Sequence, residues 1–118
     1  MKKINYLLFA VLLLLAACKK KDETPKSVTD VDGNTYQTVK IGDQVWMAEN
    51  LKTAKYNDGS SIANVTDANQ WSGATSGAYC YYNNAASNNG VYGKLYNWYA
   101  VNTGKLCPKG WHIPTKDE

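Results

Sequence analysis

Asp30-Val31-Asp32-Gly33-Asn34-Thr35-Tyr36-Gln37-Thr38-Val39-Lys40-Ile41-Gly42-Asp43-Gln44-Val45-Trp46-Met47 alternates turn residues with β-branched and aromatic ones. Asp32-Gly33-Asn34 is a turn signal, because glycine tolerates the positive φ that tight hairpins demand. The run from Thr35 to Ile41 then places Thr35, Gln37 and Val39 on one face and Tyr36, Thr38 and Lys40 on the other. Gly42-Asp43 makes a second turn and Gln44 to Met47 returns as a strand. Residues 28–47 therefore read as a β-meander. The alternating carboxylates of Asp30 and Asp32 also invite a calcium reading. An EF-hand loop needs glycine at its sixth position, where Thr35 stands, so a hairpin turn is the simpler account.

Upstream of the meander the chain reads as an export and anchoring device. Met1-Lys2-Lys3 is a short positive n-region, followed by an uncharged, leucine-rich run from Tyr6 to Ala17. Twelve helical residues span about 18 Å, short of the ~30 Å hydrocarbon core of a bilayer, so residues 1–17 fit a signal peptide better than a membrane span. Leu15-Ala16-Ala17-Cys18 places small residues before a cysteine, the pattern of a lipoprotein signal. Cys18 is the expected lipidation site, and its acyl chains make the membrane the first expected partner. A plain secretory signal that happens to hold a cysteine is the alternative. Residues 18–27 contain almost nothing apolar to bury and read as a solvated tether. Lys21-Asp22-Glu23 resembles the signal that sends some Bacteroidetes lipoproteins to the outer leaflet of the outer membrane; an ordinary charged linker explains the same residues.

The rest, 28–118, suffices for one small core. From Ser27 onward seven lysines face eight carboxylates, a balance of −1, and the chain has no arginine. A nucleic-acid binder needs a basic footprint, so that class is set aside. All four tryptophans and eight of the nine tyrosines lie after the tether, among many asparagines and glycines. Aromatic faces and amides suit sugar binding, with Trp71, Tyr81, Tyr82 and Asn83 as candidate contacts. The competing reading puts most of these rings in the core. With Cys18 acylated, Cys80 and Cys107 remain as a pair, and in an oxidising compartment one disulfide is expected. It would close a loop of roughly 28 residues and contribute about 3 kcal/mol in the chain-entropy model. Free thiols, or a metal pair with His112, are the alternatives; a structural zinc site wants four ligands, so no metal and no cofactor is expected.

Further elements are coarser. Asp67 to Trp71 can form a helical turn, and Ala78 to Asn83 reads as a buried strand. Tyr92, Leu95, Tyr96 and Tyr99 follow the spacing of one helical face, predicting a short helix over 94–101 that stops before Gly104. Thr115 with Glu118 three residues on, directly after Pro114, forms a capping box and predicts a helix start. The expectation is that 28–118 is the N-terminal part of a longer domain of α+β class.

Val31-Asp32-Gly33-Asn34-Thr35-Tyr36, then Ile41-Gly42 and Val45-Trp46-Met47-Ala48-Glu49-Asn50-Leu51, resembles the opening of the Fibrobacter succinogenes major paralogous domain. Tyr92-Gly93-Lys94-Leu95-Tyr96-Asn97-Trp98 and Cys107-Pro108-Lys109-Gly110-Trp111-His112-Ile113-Pro114-Thr115 resemble its second signature. Gly110 to Thr115 is also similar to a segment of formylglycine-generating-enzyme-like domains, which implies a C-type-lectin-like fold. Such fold-level likeness carries no activity. The only histidine is His112, and no residue pattern supplies a nucleophile with an orienting base. The expected role is non-catalytic, with no catalytic residues: an anchored binding or adhesion module, glycans being the ligand class. A structural or assembly component of the envelope, holding a protein partner, is the alternative.

Overall fold

A computed structural model describes residues 24–118. Cys18, the signal peptide and most of the tether lie outside the described residues. Two small three-stranded sheets and a few short helices give an α+β architecture, as the sequence predicts. No helix among the described residues is long and apolar enough to cross a membrane.

The first sheet is the expected meander. Strands β1 (Ser27–Thr29), β2 (Thr35–Ile41) and β3 (Gln44–Met47) pair antiparallel in sequence order. Gly33 and Gly42 take the left-handed φ of +85° and +60° that their turns require. Within β2, Tyr36 is completely buried and Thr38 half-buried, while Thr35, Gln37 and Val39 are exposed. The strand alternates as the pattern predicts, and the face bearing Tyr36 and Thr38 is the one turned inward. The first turn is cross-braced by one carboxylate. Asp30 accepts the N–H groups of Asp32 and Asn34 (2.9 Å each), the Asn34 amide (2.8 Å) and the Tyr36 hydroxyl (2.5 Å). Asp32 accepts from Thr53 and from the Ala54 N–H and pairs with Lys55 at 3.1 Å. Both carboxylates are occupied by protein donors, the arrangement the hairpin-turn account calls for. Among the described residues no group of three or more metal-ligating side chains occurs.

The second sheet joins distant segments. Strand β4 (Ala63–Asn64) runs parallel to β5 (Ala78–Cys80), which pairs antiparallel with β6 (Leu95–Tyr96). Helix α1 (Ala68–Ser72) lies between β4 and β5, and the Asp67 carboxylate caps it by accepting the N–H groups of Asn69 and Gln70. The strand expected over Ala78 to Asn83 stops at Cys80, because the chain turns through 3-10 geometry with Asn83 and Asn84 at positive φ. Helix α2 (Asn89–Tyr92) follows.

The helix predicted over 94–101 is corrected: Leu95 and Tyr96 are strand, paired with Cys80 and Tyr79, and only α3 (Trp98–Val101) is helical. Two residues enforce the break. Gly93 adopts φ +68° and ψ −149°, a region closed to side chains, with Lys94 N–H bonded to the Leu51 carbonyl at 3.0 Å. Asn97 then caps α3 by accepting the Ala100 N–H, while the same oxygen accepts from Ala78 N–H (both 3.0 Å).

The core cluster is Ile62, Tyr79 and Leu106, with Leu51, Ala54, Tyr56, Tyr81, Tyr96 and Val101 packed against them. The extended segment 50–55 links sheet to sheet. Lys52 N–H donates to the Tyr36 hydroxyl (2.9 Å) and the Thr53 carbonyl accepts from Tyr96 (2.7 Å). Lys94 lies over the rings of Tyr79 and Tyr81 and donates to the Lys52 carbonyl. Most of these core rings are tyrosines with a paired hydroxyl or a cation above them, in a chain with a single phenylalanine.

The expected Cys80–Cys107 disulfide is not formed; both are free thiols. Strand alternation explains the separation. Tyr79 packs in the core beside Leu106, so its neighbour Cys80 is directed to the other face of β5. Cys107 is buried, and its carbonyl is held by the Asn57 amide at 3.0 Å.

Candidate functional site

A groove of about 580 Å³ opens beside β3. Gln44, Val45, Trp46 and Met47 form one wall with Glu49, Asn50 and Leu51; Gly110 to Pro114 form the other, and Pro25, Cys107 and Glu118 complete the lining. The walls come from segments some sixty residues apart, so each must be fixed by its own contacts.

The β3 wall is held by β2. Ala48 N–H donates to the Gln37 carbonyl at 2.8 Å, and the register runs from Thr38 opposite Met47 to Ile41 opposite Gln44. Glu49 accepts the Gln37 N–H (2.9 Å) and the Lys52 ammonium (3.1 Å), and these contacts, the backbone one first, lower its pKa. Trp46 donates its indole N–H to Gln44 at 3.1 Å, which fixes the ring beside an amide.

The opposite wall is latched by the turn at Asn57. Asn57 N–H donates to the Lys105 carbonyl (2.8 Å), its amide reaches the Cys107 carbonyl, and Lys105 pairs with Asp58 at 2.9 Å. Leu106 goes into the core. A turn closed by Trp111 N–H on the Pro108 carbonyl (3.0 Å), with Gly110 at φ +84°, presents Trp111. Beyond it the capping interaction expected at Thr115 forms, its N–H donating to Glu118 at 2.8 Å. The second oxygen of Glu118 meets His112 Nε2 at 2.9 Å. Thr115 N–H first, then His112, holds the Glu118 carboxyl down at about 2.

The lining combines two half-buried indoles with Val45, Met47, Leu51, Ile113 and Pro114, and adds neutral or acceptor groups from Gln44, Asn50, Glu49 and Glu118. It contains no lysine or arginine. Such a surface can stack a partly apolar ring and bond its hydroxyls; it offers no lysine or arginine to an anionic ligand. Burial pushes the thiols of Cys80 and Cys107 up, away from the thiolate a nucleophilic cysteine needs. A smaller cavity of about 210 Å³ shares Glu49 and Asn50 with the groove and reaches Lys52, Gly90 and Val91.

None of the four candidate contacts read from the sequence lines either cavity. Trp71 is half-buried on α1. Tyr81 packs edge-on against Tyr79, with ring centroids 5.7 Å apart, under Lys94. Tyr82 is exposed and pairs with Tyr92 at 5.2 Å, and Asn83 is exposed beside it. The residues that do meet in the groove, Trp46 and Trp111, belong to the two motifs quoted for the family resemblance. Their occurrence in separate signatures was the available signal.

The family model described as the Fibrobacter succinogenes major domain matches residues 39–118, from the end of β2 through both walls of the groove. No curated protein and no solved structure matches the chain. With more than half of its length matched, both groove walls included, the chain belongs to the Fibrobacter succinogenes major domain family.

Proposed function

We propose that this protein is a membrane-anchored, extracytoplasmic binding module without catalytic activity, and that the groove between β3 and Gly110–Pro114 takes a glycan. The observation that carries the reading is the meeting of Trp46 and Trp111 in one groove with Gln44, Asn50 and Glu49. Aromatic faces stack on apolar sugar faces, and fixed amides and carboxylates orient hydroxyls. The lipoprotein signal ending at Cys18 supports the anchor.

A glycan array probed with the Cys18→Ser form tests the ligand. Binding that falls at least tenfold in Trp46→Ala and Trp111→Ala, and not in Trp71→Ala, fits the proposal; a tenfold loss is about 1.4 kcal/mol. Binding indifferent to both groove tryptophans sinks it. The anchor is tested by membrane fractionation and intact mass of the native chain against Cys18→Ser.

One observation favours the second reading, an envelope assembly component. β3 is an edge strand that lines the groove, and its register directs the N–H and C=O of Val45 and Met47 away from β2. An extended protein segment can add there as a fourth strand. Val45→Pro removes one of those donors at an edge position where proline is tolerated. Loss of an envelope partner in Val45→Pro, with no sugar bound by the native protein, selects this reading over the first.

A further inference from the structure

The groove lies where the tether enters the domain. Pro25 is one of its lining residues, and its carbonyl accepts from the Thr38 hydroxyl. The Lys26 carbonyl accepts the Thr38 N–H at 3.1 Å, and β1 begins at Ser27. From Pro25 onward the chain is fixed to the first sheet. Seven residue steps separate Pro25 from Cys18, and fully extended they reach no more than about 25 Å. A folded domain of this size is roughly 30 Å across, so the far pole stands well beyond the groove.

We infer that the groove's ligand is the neutral sugar headgroup of a lipid in the same leaflet that holds Cys18. This rests on the glycan reading and on acylation of Cys18, and it adds where the sugar is and what charge it carries. The side of the domain nearest the anchor faces the lipid surface, and a sugar borne by a second membrane would have to reach around the domain to enter the groove. A glycolipid in the same leaflet meets the groove at a tether-set effective concentration in the millimolar range, so weak intrinsic affinity suffices. The charge follows from the lining. Its ionisable groups are the carboxylates of Glu49 and Glu118, His112 and the Cys107 thiol, with no lysine or arginine to receive a phosphate. A phosphorylated or acidic headgroup meets carboxylates there; a neutral one meets acceptors for its hydroxyls.

The test reconstitutes the acylated protein in phosphatidylcholine vesicles, with dihexosyl-diacylglycerol either in the same vesicles or in a second population. The readouts are tryptophan fluorescence and vesicle clustering. Glycolipid in the same vesicle is expected to change the fluorescence at about a hundredfold lower bulk concentration than the Cys18→Ser form requires. Glycolipid in separate vesicles is expected to cause no clustering. Inserting about 30 Gly/Ser residues between Glu23 and Thr24, an average reach of about 30 Å, is expected to permit it. Clustering at native tether length, or no response in the same vesicle while the glycan array is positive, overturns this inference and leaves the glycan reading standing. A negative array removes both. An equal response to phosphatidylglycerol vesicles without glycolipid overturns the neutral headgroup.

Discussion

Replacing Tyr36 with phenylalanine removes one oxygen from the interior, taking one of four donors from Asp30 and the acceptor from the Lys52 N–H. The Tyr36 ring is fully buried, and its hydroxyl donates to Asp30 at 2.5 Å and accepts the Lys52 N–H at 2.9 Å. A hydrogen bond to a charged group contributes about 1.5–3 kcal/mol, and a buried N–H left unsatisfied costs about 1–3 kcal/mol. Asp30 keeps three other donors and Lys52 N–H is only partly buried, so the lower halves of both ranges apply. The expected loss is about 3 kcal/mol. In a domain of fewer than a hundred residues that lowers the melting temperature by roughly 12–24 °C. Urea unfolding of the Cys18→Ser form, followed by tryptophan fluorescence, measures it directly. A double-mutant cycle with Asp30→Ala should give a coupling above about 1 kcal/mol. A loss under about 1 kcal/mol, or no coupling, would refute the view that this hydroxyl ties the meander to segment 50–55.

Alkaline pH is expected to unfold the protein. Burial raises the phenols of Tyr36, Tyr56, Tyr79 and Tyr96 above their ordinary value, so the stability they contribute is present below about pH 10 and is lost as pH rises beyond it. Lys94 works the other way, since burial lowers its pKa, but one lysine stands against four tyrosines; tyrosinate absorbance should therefore appear in the same transition as loss of near-ultraviolet dichroism. At the acid end, the depressed Glu118 carboxyl makes the His112–Thr115–Glu118 contacts stable above the ordinary glutamate pKa of about 4.3 and lost as pH falls through about 2. Following the Glu118 carboxyl and the His112 ring by NMR checks this, and a glutamate titrating near 4.3 would contradict it. Gly93→Ala is expected to cost about 3 kcal/mol, because its Cβ would sit 2.6 Å from the Leu51 carbonyl at a φ side chains avoid; denaturant melts read it.

The meander was legible in the sequence because its information is local. Asp32-Gly33-Asn34 and Gly42-Asp43 dictate turns, and period-two alternation separates Tyr36 and Thr38 from Thr35, Gln37 and Val39. The helical turn at Asp67 to Trp71 was legible for the same reason, although the capping role of Asp67 emerged only with the structure. Leu95 and Tyr96 were not. Their spacing with Tyr92 and Tyr99 imitates a helical face, and what makes them strand is hydrogen bonding to Tyr79 and Cys80, together with the conformation of Gly93. The groove was hidden for a related reason. Trp46 and Trp111 come to line one groove from distant segments, the second positioned after a stretch whose Lys105 and Cys107 carbonyls Asn57 holds, and no property of the separate segments announces that latch. Tyrosine-rich stretches such as Tyr81-Tyr82 looked like a ligand platform, yet Tyr81 packs against the core and only Tyr82 remains outside.

The placement of Leu106 sets the order in which the molecule can assemble. The meander closes over short loops, so it can form as soon as Met47 is available. Ile62 and Tyr79, however, lack their third buried partner until residue 106 arrives, and the Asn57 latch has nothing to grip before Lys105. Bringing residues some fifty positions apart together slows folding, since loop closure precedes the contacts that reward it. Until then the chain holds a formed meander beside an open core. The connectivity that builds the groove therefore also makes compaction wait for the segment bearing Leu106.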